Sequence, residues 1–250
     1  MAPSNGPITI IGIDCATEPK KVGLAKARLH HGKLTIEDAR TGAGDQELAR
    51  LILEWVPNNQ PTLLALDAPL GWPDALGATL VTHQAGSAIA PTANQLFRRE
   101  TDRFIKVQTG KQPLDVGADR IARTATAALN LLSRLRQLTG QSIPLAWAPN
   151  ITGLAAIEAY PAGTLTAYGL TNSGYKDGSA EHRRMRASIL GQLAAWVSIA
   201  EPAPLIANAD ILDAALCCLA GADFLQGNCY PPVDETLARK EGWIWVKKTE

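Results

Sequence analysis

Three short apolar runs, each of which ends on a carboxylate, constrain the fold of this chain more than any other feature. They are Ile8–Asp14, Thr62–Asp67 and Leu154–Glu158. The second run lacks polar alternation, which is typical of a strand that is buried on both faces of a sheet. A carboxylate at the end of a buried strand is costly unless something pairs with it. The sequence therefore predicts acidic side chains at the edge of a sheet, with a shared hard cation as one way to neutralise them.

The remaining elements predict how this sheet is built. Further strands are expected over residues 22–29, 33–39 and 241–246, the last of them as a short edge strand. Helices are expected over residues 45–55, 117–138, 183–199 and 210–224. Because short turns join the first three strands, these strands form an antiparallel meander before the first long helix.

A meander followed by right-handed crossovers predicts an α/β fold with a mixed five-stranded sheet of order 3-2-1-4-5 and helices on both faces. The ribonuclease H-like fold has this order of elements. We expect a single domain over residues 1–250, with a helical insertion at about 72–150 between strands four and five. The first strand then lies beside the fourth, so that Asp14 and Asp67 meet at the same sheet edge.

Each acid also has a structural explanation, and the sequence leaves both explanations open. Asp210 would serve as the N-cap of the last long helix, and Asp213 would be favoured near its N-terminus by the helix dipole. Asp14 and Asp67 would hold the loops that follow their strands. Glu158 would pair with a lysine or an arginine.

The charge of the chain is balanced overall but unevenly distributed. A net charge of zero and a pI of about 6.9 argue against a generally basic nucleic-acid-binding surface. Residues 98–136, however, hold nine Lys or Arg against four Asp or Glu. Solvated helix faces would explain this excess, and so would a surface that faces phosphate groups.

Three basic residues are candidates for substrate binding. Arg99 and Arg103 share one face of a helix if residues 95–106 are helical, and arginine suits bidentate contact with phosphate. The alternative is that these arginines pair with neighbouring acids in the same segment. Lys176 would contact a phosphate or neutralise Glu158, or it would be an ordinary loop lysine.

The cysteines and the N-terminus indicate a cytoplasmic protein. The four cysteines, Cys15, Cys217, Cys218 and Cys229, form no CxxC pair and fit reduced thiols. The N-terminus has no basic region and no apolar stretch of signal length. No segment approaches the roughly 20 apolar residues of a membrane span.

Several motifs occur together in a fixed order: Gly12-Ile13-Asp14, Asp67-Ala68-Pro69-Leu70-Gly71-Trp72-Pro73, Arg99-Glu100-Thr101-Asp102-Arg103, Glu158-Ala159-Tyr160-Pro161-Ala162, Tyr175-Lys176 and Asp210-Ile211-Leu212-Asp213-Ala214. With them, residues 8–246 resemble the domain-of-unknown-function family 429, which is described as predicted nucleases of ribonuclease H-like fold. The Asp-Ala-Pro-Leu-Gly and Glu-Ala-Tyr-Pro-Ala motifs are the most specific, whereas Gly-Ile-Asp alone is weak.

The helix motif Asp-x-x-Asp-Ala is also similar to the last acidic pair of Holliday-junction resolvases, which share that fold. This resemblance implies that Mg²⁺ or Mn²⁺ is bound by Asp14, Asp67, Asp210 and Asp213. The chain departs from these relatives at Asp67, where they usually carry a glutamate. The shorter side chain puts the expected metal spacing in doubt.

The sequence therefore predicts a divalent-metal-dependent nuclease that acts on DNA or RNA, with Asp14, Asp67, Glu158 and Asp213 as catalytic residues. One alternative is a phosphotransferase or ATP-binding protein of the actin and hexokinase type. Residues 15–19, after the first strand, lack the glycines of a phosphate loop, which weakens that alternative. Another alternative is a non-catalytic binding module of the same fold.

Overall fold

A mixed sheet forms the centre of the computed structural model, which describes residues 6–42, 47–117 and 119–249. The strands are β1 (Ile8–Asp14), β2 (Gly23–His30), β3 (Lys33–Thr41), β4 (Thr62–Asp67), β5 (Leu154–Glu158) and β6 (Val197–Ile199). They lie in the order β5-β4-β1-β2-β3-β6. The prediction of an α/β protein with a mixed sheet is confirmed, but the sheet has six strands rather than five.

The register of the sheet brings three acid-bearing strand ends to one edge. The central strands β1, β4 and β5 run parallel, and β2 is antiparallel to both of its neighbours. Asp14 of β1 is the register partner of Asp67 of β4. On the other side of β4, Leu66 pairs with Glu158 of β5. All three acids therefore lie at the carboxyl ends of adjacent parallel strands.

The helices of the described residues are α1 (Leu48–Leu53), α2 (Asp74–Leu80), α3 (Ala93–Phe97), α4 (Glu100–Thr109), α5 (Asp119–Thr139), α6 (Pro161–Ala167), α7 (Ala180–Leu193), α8 (Pro202–Ala207), α9 (Ala209–Leu225) and α10 (Glu235–Glu241). Helices α2 to α5 lie between β4 and β5 in the chain. They occupy the segment for which the sequence predicts an insertion.

Both faces of the sheet are covered. On one face Ile10 and its neighbours pack against α9, which is buried along almost its whole length. On the other face Ile11 and Ile13 pack in a second core with α1 and α5. Alternate residues of β1 therefore enter opposite cores, which explains why this strand is apolar throughout.

Two glycines let α9 contact the sheet backbone directly. A Cβ atom on Gly12 would lie 1.9 Å from the backbone oxygen of Ala214. A Cβ atom on Gly23 would lie 1.9 Å from the backbone oxygen of Asp210. This close approach fixes the first turns of α9, and with them Asp210 and Asp213, beside the carboxyl end of β1.

The strand β6 occurs where the sequence predicts the end of a helix over residues 183–199. Helix α7 ends at Leu193, and Val197–Ile199 then pairs in parallel with β3. Only three residues form this strand, which is too short for a strand pattern to show in the sequence. The predicted helix therefore exists, but it begins three residues earlier, at Ala180, and ends six residues earlier, at Leu193.

The predicted edge strand at residues 241–246 is also wrong. All six residues are buried, and the segment makes a single bridge, between Ile244 and Glu158. The side chains of Trp243 and Trp245 enter the α9 core, whereas Ile244 and Val246 enter a separate cluster. The apolar run at residues 243–246 thus reflects a segment that is buried on both sides.

Two predicted helices differ in extent. The helix expected over residues 45–55 is α1, and its predicted start at Asp45 lies outside the described residues. The helix expected over residues 95–106 is divided into α3 and α4, because Arg98 and Arg99 are extended. The Asp102 side chain accepts a hydrogen bond from the backbone N–H of Arg99 at 2.9 Å, which starts the second helix.

In the described part of the chain, no helix combines the length and the apolar composition needed to cross a membrane. Cys15, Cys217, Cys218 and Cys229 are free thiols. Burial raises the pKa of all four, so they are held in the uncharged form that reacts poorly as a nucleophile. This applies to Cys15 too, although it lies next to Asp14.

Candidate functional site

Asp14 and Asp67 form the centre of the candidate site. Their side chains are partly buried at neighbouring strand ends. Burial, and after it the nearby carboxylate of Asp213, raise the pKa of Asp67 to about 7. Burial likewise raises the pKa of Asp14, followed by the charges of Asp213 and Asp67. Both groups therefore resist ionisation because each one would add a negative charge to a site that is already acidic.

Asp213 reaches the same site from α9. Its side chain is completely buried, and Tyr175 Oη donates a hydrogen bond to its Oδ1 at 2.8 Å. The ammonium of Lys176 donates to Oδ2. Burial raises the pKa of Asp213, whereas the ion pair with Lys176 opposes this effect. Asp213 thus has two specific partners, both in the segment before α7.

Asp210 lies at the margin of the acidic group that Asp14, Asp67 and Asp213 form. Its side chain is partly buried in the first turn of α9, and burial raises its pKa. It is not the N-cap of the helix, because Asn208 occupies that position and its Oδ1 accepts the Asp210 N–H at 2.7 Å. The capping explanation of Asp210 therefore does not hold.

Lys176 is the positive charge that this acidic group shares. Although burial lowers the pKa of Lys176, the charges of Asp213, Asp14 and Asp67 raise it overall. Conversely, the charge of Lys176 opposes the rise in the pKa values of Asp14, Asp67 and Asp213, which stay raised overall. One ammonium therefore partly neutralises three carboxyl groups.

Glu158 has a different environment from the other acids. Arg99 Nη1 and Nη2 donate to its two carboxylate oxygens at 2.7 Å each, and the backbone N–H of Leu70 donates at 3.0 Å. Both side chains are almost inaccessible, at 1% for Arg99 and 4% for Glu158. Burial raises the pKa of Glu158, and Arg99 counteracts this effect.

The remaining donors of Arg99 are also occupied. Nε and Nη2 donate to the carboxylate of Asp102 at 3.2 and 2.9 Å, and Nη1 also donates to the backbone oxygen of Glu241 at 3.2 Å. All five N–H groups of this guanidinium are thereby used within the protein. Arg99 joins α4, β5 and the end of α10, and through Glu158 it also holds the loop that follows Asp67.

Arg103 lies away from these groups. Its side chain is exposed, and Nη1 donates to the backbone oxygen of Arg98 at 2.6 Å. Of the three predicted substrate-binding residues, the structure thus places Lys176 beside the acids, Arg99 in a buried ion pair and Arg103 on the surface.

A cleft of about 440 Å³ opens at the acidic group. Asp14, Asp67, Glu158 and Lys176 contribute to its lining. Residues 111–114, which follow α4, form part of another wall, and Tyr160 Oη donates to the backbone oxygen of Gln112 at 3.3 Å. Burial raises the pKa of Tyr160 to about 12, with a contribution from Asp67, so its hydroxyl keeps its proton at neutral pH.

Lys111 and Asn172 line the same cleft and were not among the predicted site residues. Lys111 Nζ donates to Asn172 Oδ1 at 3.0 Å. Lys111 belongs to the excess of basic residues at 98–136, so the sequence pointed to this segment as one that could face phosphate groups. It gave no means of choosing this lysine, because only the folded chain brings residue 111 to residue 172.

The acids of the site differ from a preformed metal centre in geometry but not in chemistry. Among residues 6–42, 47–117 and 119–249, no three or more His, Cys, Asp or Glu side chains are arranged to hold a metal ion. The chemistry of Asp14, Asp67 and Asp213 nevertheless fits Mg²⁺ or Mn²⁺, which prefer carboxylate oxygens. Burial is the main cause of their raised pKa values, and the mutual repulsion of the carboxylates adds to it for Asp14 and Asp67.

A family model described as "Protein of unknown function (DUF429)" matches residues 12–237. No curated protein and no solved structure matches the chain. The matched segment extends from β1 into α10, so that it includes the acidic group, the Arg99–Glu158 pair and Lys111.

Proposed function

This chain belongs to the DUF429 family, and since the matched family model is described only as a protein of unknown function, we propose its function from the site itself. The proposed function is that of a divalent-metal-dependent nuclease, which hydrolyses phosphodiester bonds of DNA or RNA. The observation that carries the proposal is the parallel register of Asp14 with Asp67, beside which α9 places Asp213. Several carboxylates around a shared cation are the usual equipment for this reaction.

Asp14, Asp67 and Asp213 would hold Mg²⁺ or Mn²⁺, and Asp210 is a fourth candidate ligand. A bound divalent cation supplies a Lewis acid for a phosphoryl oxygen and lowers the pKa of water. Lys176 neutralises Asp213 in the structure, yet its side chain is 60% exposed. Its ammonium is therefore free to turn from Asp213 to a phosphate oxygen of the substrate.

Glu158 and Arg99 receive positioning roles in this proposal. The oxygens of Glu158 and the N–H groups of Arg99 are used by each other and by their neighbours. The pair holds the backbone at Leu70, three residues after Asp67. We propose that it sets the direction of the Asp67 carboxylate rather than contacting the substrate.

The proposal extends to the fold, which we assign to the ribonuclease H-like class. Five of the six strands have the order 3-2-1-4-5, and β2 is antiparallel to its neighbours. These features support the assignment. The strand β6 would then be an addition beside β3.

Metal-dependent stabilisation tests the proposal directly. We expect Mg²⁺ or Mn²⁺ to raise the unfolding temperature of the full chain, because a ligand that binds only the folded state stabilises it by about 2–3 kcal/mol at roughly 100 times its dissociation constant. Asp14→Asn should abolish the rise. Asp38→Asn, which removes an exposed charge from β3, is the matched control and should keep it.

Cleavage of single-stranded and duplex oligonucleotides with either metal is the second measurement. Metal-dependent cleavage that Asp14→Asn abolishes supports the proposal. If the metals neither stabilise the protein nor promote cleavage, the nuclease is rejected. Stabilisation by nucleotide alone would favour the phosphotransferase alternative, and oligonucleotide binding without cleavage would favour a binding module.

A further inference from the structure

Three basic side chains line the cleft, and they differ in what neutralises them. Arg99 donates all its N–H groups to protein oxygens, and Lys176 is paired with Asp213. Lys111 has no carboxylate partner within the described residues, although it is only partly exposed. It is therefore the cleft cation that can bind an incoming anion without first leaving a carboxylate.

A chain of hydrogen bonds holds Lys111 in place. The hydroxyl of Thr166 donates to the backbone oxygen of Ala162 at 2.8 Å, so that its oxygen is left to accept from Asn172 Nδ2, also at 2.8 Å. This contact turns Asn172 Oδ1 towards Lys111, whose ammonium donates to it at 3.0 Å. An ammonium has three donors, and no other side-chain hydrogen bond of Lys111 occurs within the described residues. Two donors therefore remain for a ligand.

The acids of the cleft make such a cation necessary. When ionised, Asp14 and Asp67 repel an anion in the cleft, and the nearby Lys176 is already paired with Asp213. A phosphate that approaches these acids needs a second positive group, which Lys111 offers from a different segment of the cleft wall. Hydrogen bonds between an ammonium and a phosphate are stronger than those between neutral groups.

From this arrangement we propose that Lys111, oriented by Asn172, binds a phosphate of the substrate and that the cleft takes one nucleotide at a time. The assignment rests on the proposed function, because it identifies the substrate group that faces the acids. A cleft of about 440 Å³ is of the size that proteins use for small ligands and is too small for a duplex. Pro113, Leu114 and Ile121 line it as well and provide apolar surface for a base.

Binding of two probes to the full chain tests this proposal. The probes are adenosine monophosphate and a short single-stranded oligonucleotide, each measured by calorimetry with Ca²⁺ to prevent cleavage. Lys111→Met should weaken the binding of at least one probe by roughly tenfold or more, as expected for the loss of a charge-assisted hydrogen bond. Lys111→Arg should restore most of the affinity, because it restores the charge.

Lys33→Met is the matched control. Lys33 is exposed at the start of β3, at the sheet end opposite to Asp14, and its loss changes the net charge equally. This variant should bind both probes as the wild type does. Asn172→Leu should weaken binding by a smaller factor than Lys111→Met, because it releases the ammonium without removing it.

The two probes distinguish the sources of the phosphate. Loss of affinity for the oligonucleotide alone assigns Lys111 to a strand phosphate, and loss for the mononucleotide assigns it to a free nucleotide. The proposal is overturned if Lys111→Met binds both probes with wild-type affinity, or if the wild type binds neither. Metal stabilisation of the wild type is measured separately: its absence together with Lys111-dependent binding would reject the nuclease and keep the phosphate site.

Discussion

The ammonium of Lys176 is paired with the carboxylate of Asp213, and the two side chains differ completely in exposure. That of Asp213 is fully buried, whereas that of Lys176 is 60% exposed. A buried carboxylate is thus neutralised by a cation that solvent and ligands can reach. The consequence is that anything that competes for Lys176 also changes the charge of the acidic group.

Replacing Lys176 should separate its effect on stability from its effect on metal binding. We expect Lys176→Met to destabilise the metal-free protein by about 1–2 kcal/mol at pH 8, after allowance for the exposed lysine. The loss should be smaller at pH 5, because burial already raises the pKa of Asp213 and favours its protonation. Affinity for Mn²⁺ should increase, since a competing cation is gone.

Chemical denaturation at the two pH values and calorimetric titration with Mn²⁺ measure these effects. Lys33→Met is the control, because Lys33 is exposed at the start of β3, at the sheet end opposite to Asp14, and should affect neither quantity. Unchanged stability at pH 8, or weaker metal binding, would show that Lys176 does not neutralise Asp213 in solution.

The pH dependence of stability should reveal Asp67. Its pKa is about 7 in the folded protein, above the ordinary value of 3.8, so the folded state binds this proton more tightly than the unfolded state. Its stabilising contribution is therefore complete below about pH 4 and is lost as the pH rises through 7. Asp67→Asn removes this titration.

We expect the stability of Asp67→Asn relative to the wild type to increase by about 1–3 kcal/mol between pH 4 and pH 8. Urea unfolding across this range, in the presence of a chelator, gives the difference. Asp38→Asn serves as the control for loss of one negative charge. Parallel pH profiles for Asp67→Asn and the wild type would mean that Asp67 is not held in its protonated form.

The Arg99–Glu158 pair should dominate the stability of the site. Arg99→Met leaves the carboxylates of Glu158 and Asp102 buried without their partner, which typically costs 3–5 kcal/mol. Arg123→Met breaks an exposed pair with Asp119 and should leave the unfolding midpoint unchanged. Thermal and urea unfolding measure both variants, and equal midpoints would rule out a dominant role for the buried pair.

The sequence predicted the acidic group well because it depends on strand ends. A strand that is buried on both faces shows as an apolar run, and parallel neighbours must end at the same edge, so Asp14 and Asp67 could be placed together without coordinates. The helix α9 could be predicted for the same reason, because a helix that is apolar on all sides also appears in the sequence as an apolar run.

Other features depend on contacts between distant segments, which no local pattern contains. For Arg99 the sequence left open a phosphate contact or a pair with a neighbouring acid, and the pair with Asp102 is present. Its other partner, Glu158, is 59 positions away and could not be predicted. Lys111 and Asn172 are separated by 61 positions and by β5. The error at residues 241–246 has the same origin, because those side chains alternate between two clusters and not between a core and solvent.

The contact between α9 and β1 should tolerate no side chain at residue 12. Gly12→Ala would force its Cβ against the backbone of Ala214, and we expect a loss of about 3 kcal/mol or more. Gly191→Ala is the matched control, since this helical glycine of α7 has open space around it and the change should stabilise the protein by about 0.5–1 kcal/mol. Urea unfolding compares the two, and a neutral Gly12→Ala would argue against so close an approach.

The bridges beside β5 limit how copies of this protein can associate. The backbone N–H and oxygen of Ala156 bond to Pro144 and Ala146, and Trp245 donates to the oxygen of Glu158, so the outer side of β5 is already hydrogen-bonded. The opposite margin of the sheet is β6, which offers only three residues. A foreign strand therefore cannot add along β5, because the backbone groups that it would need there are already hydrogen-bonded.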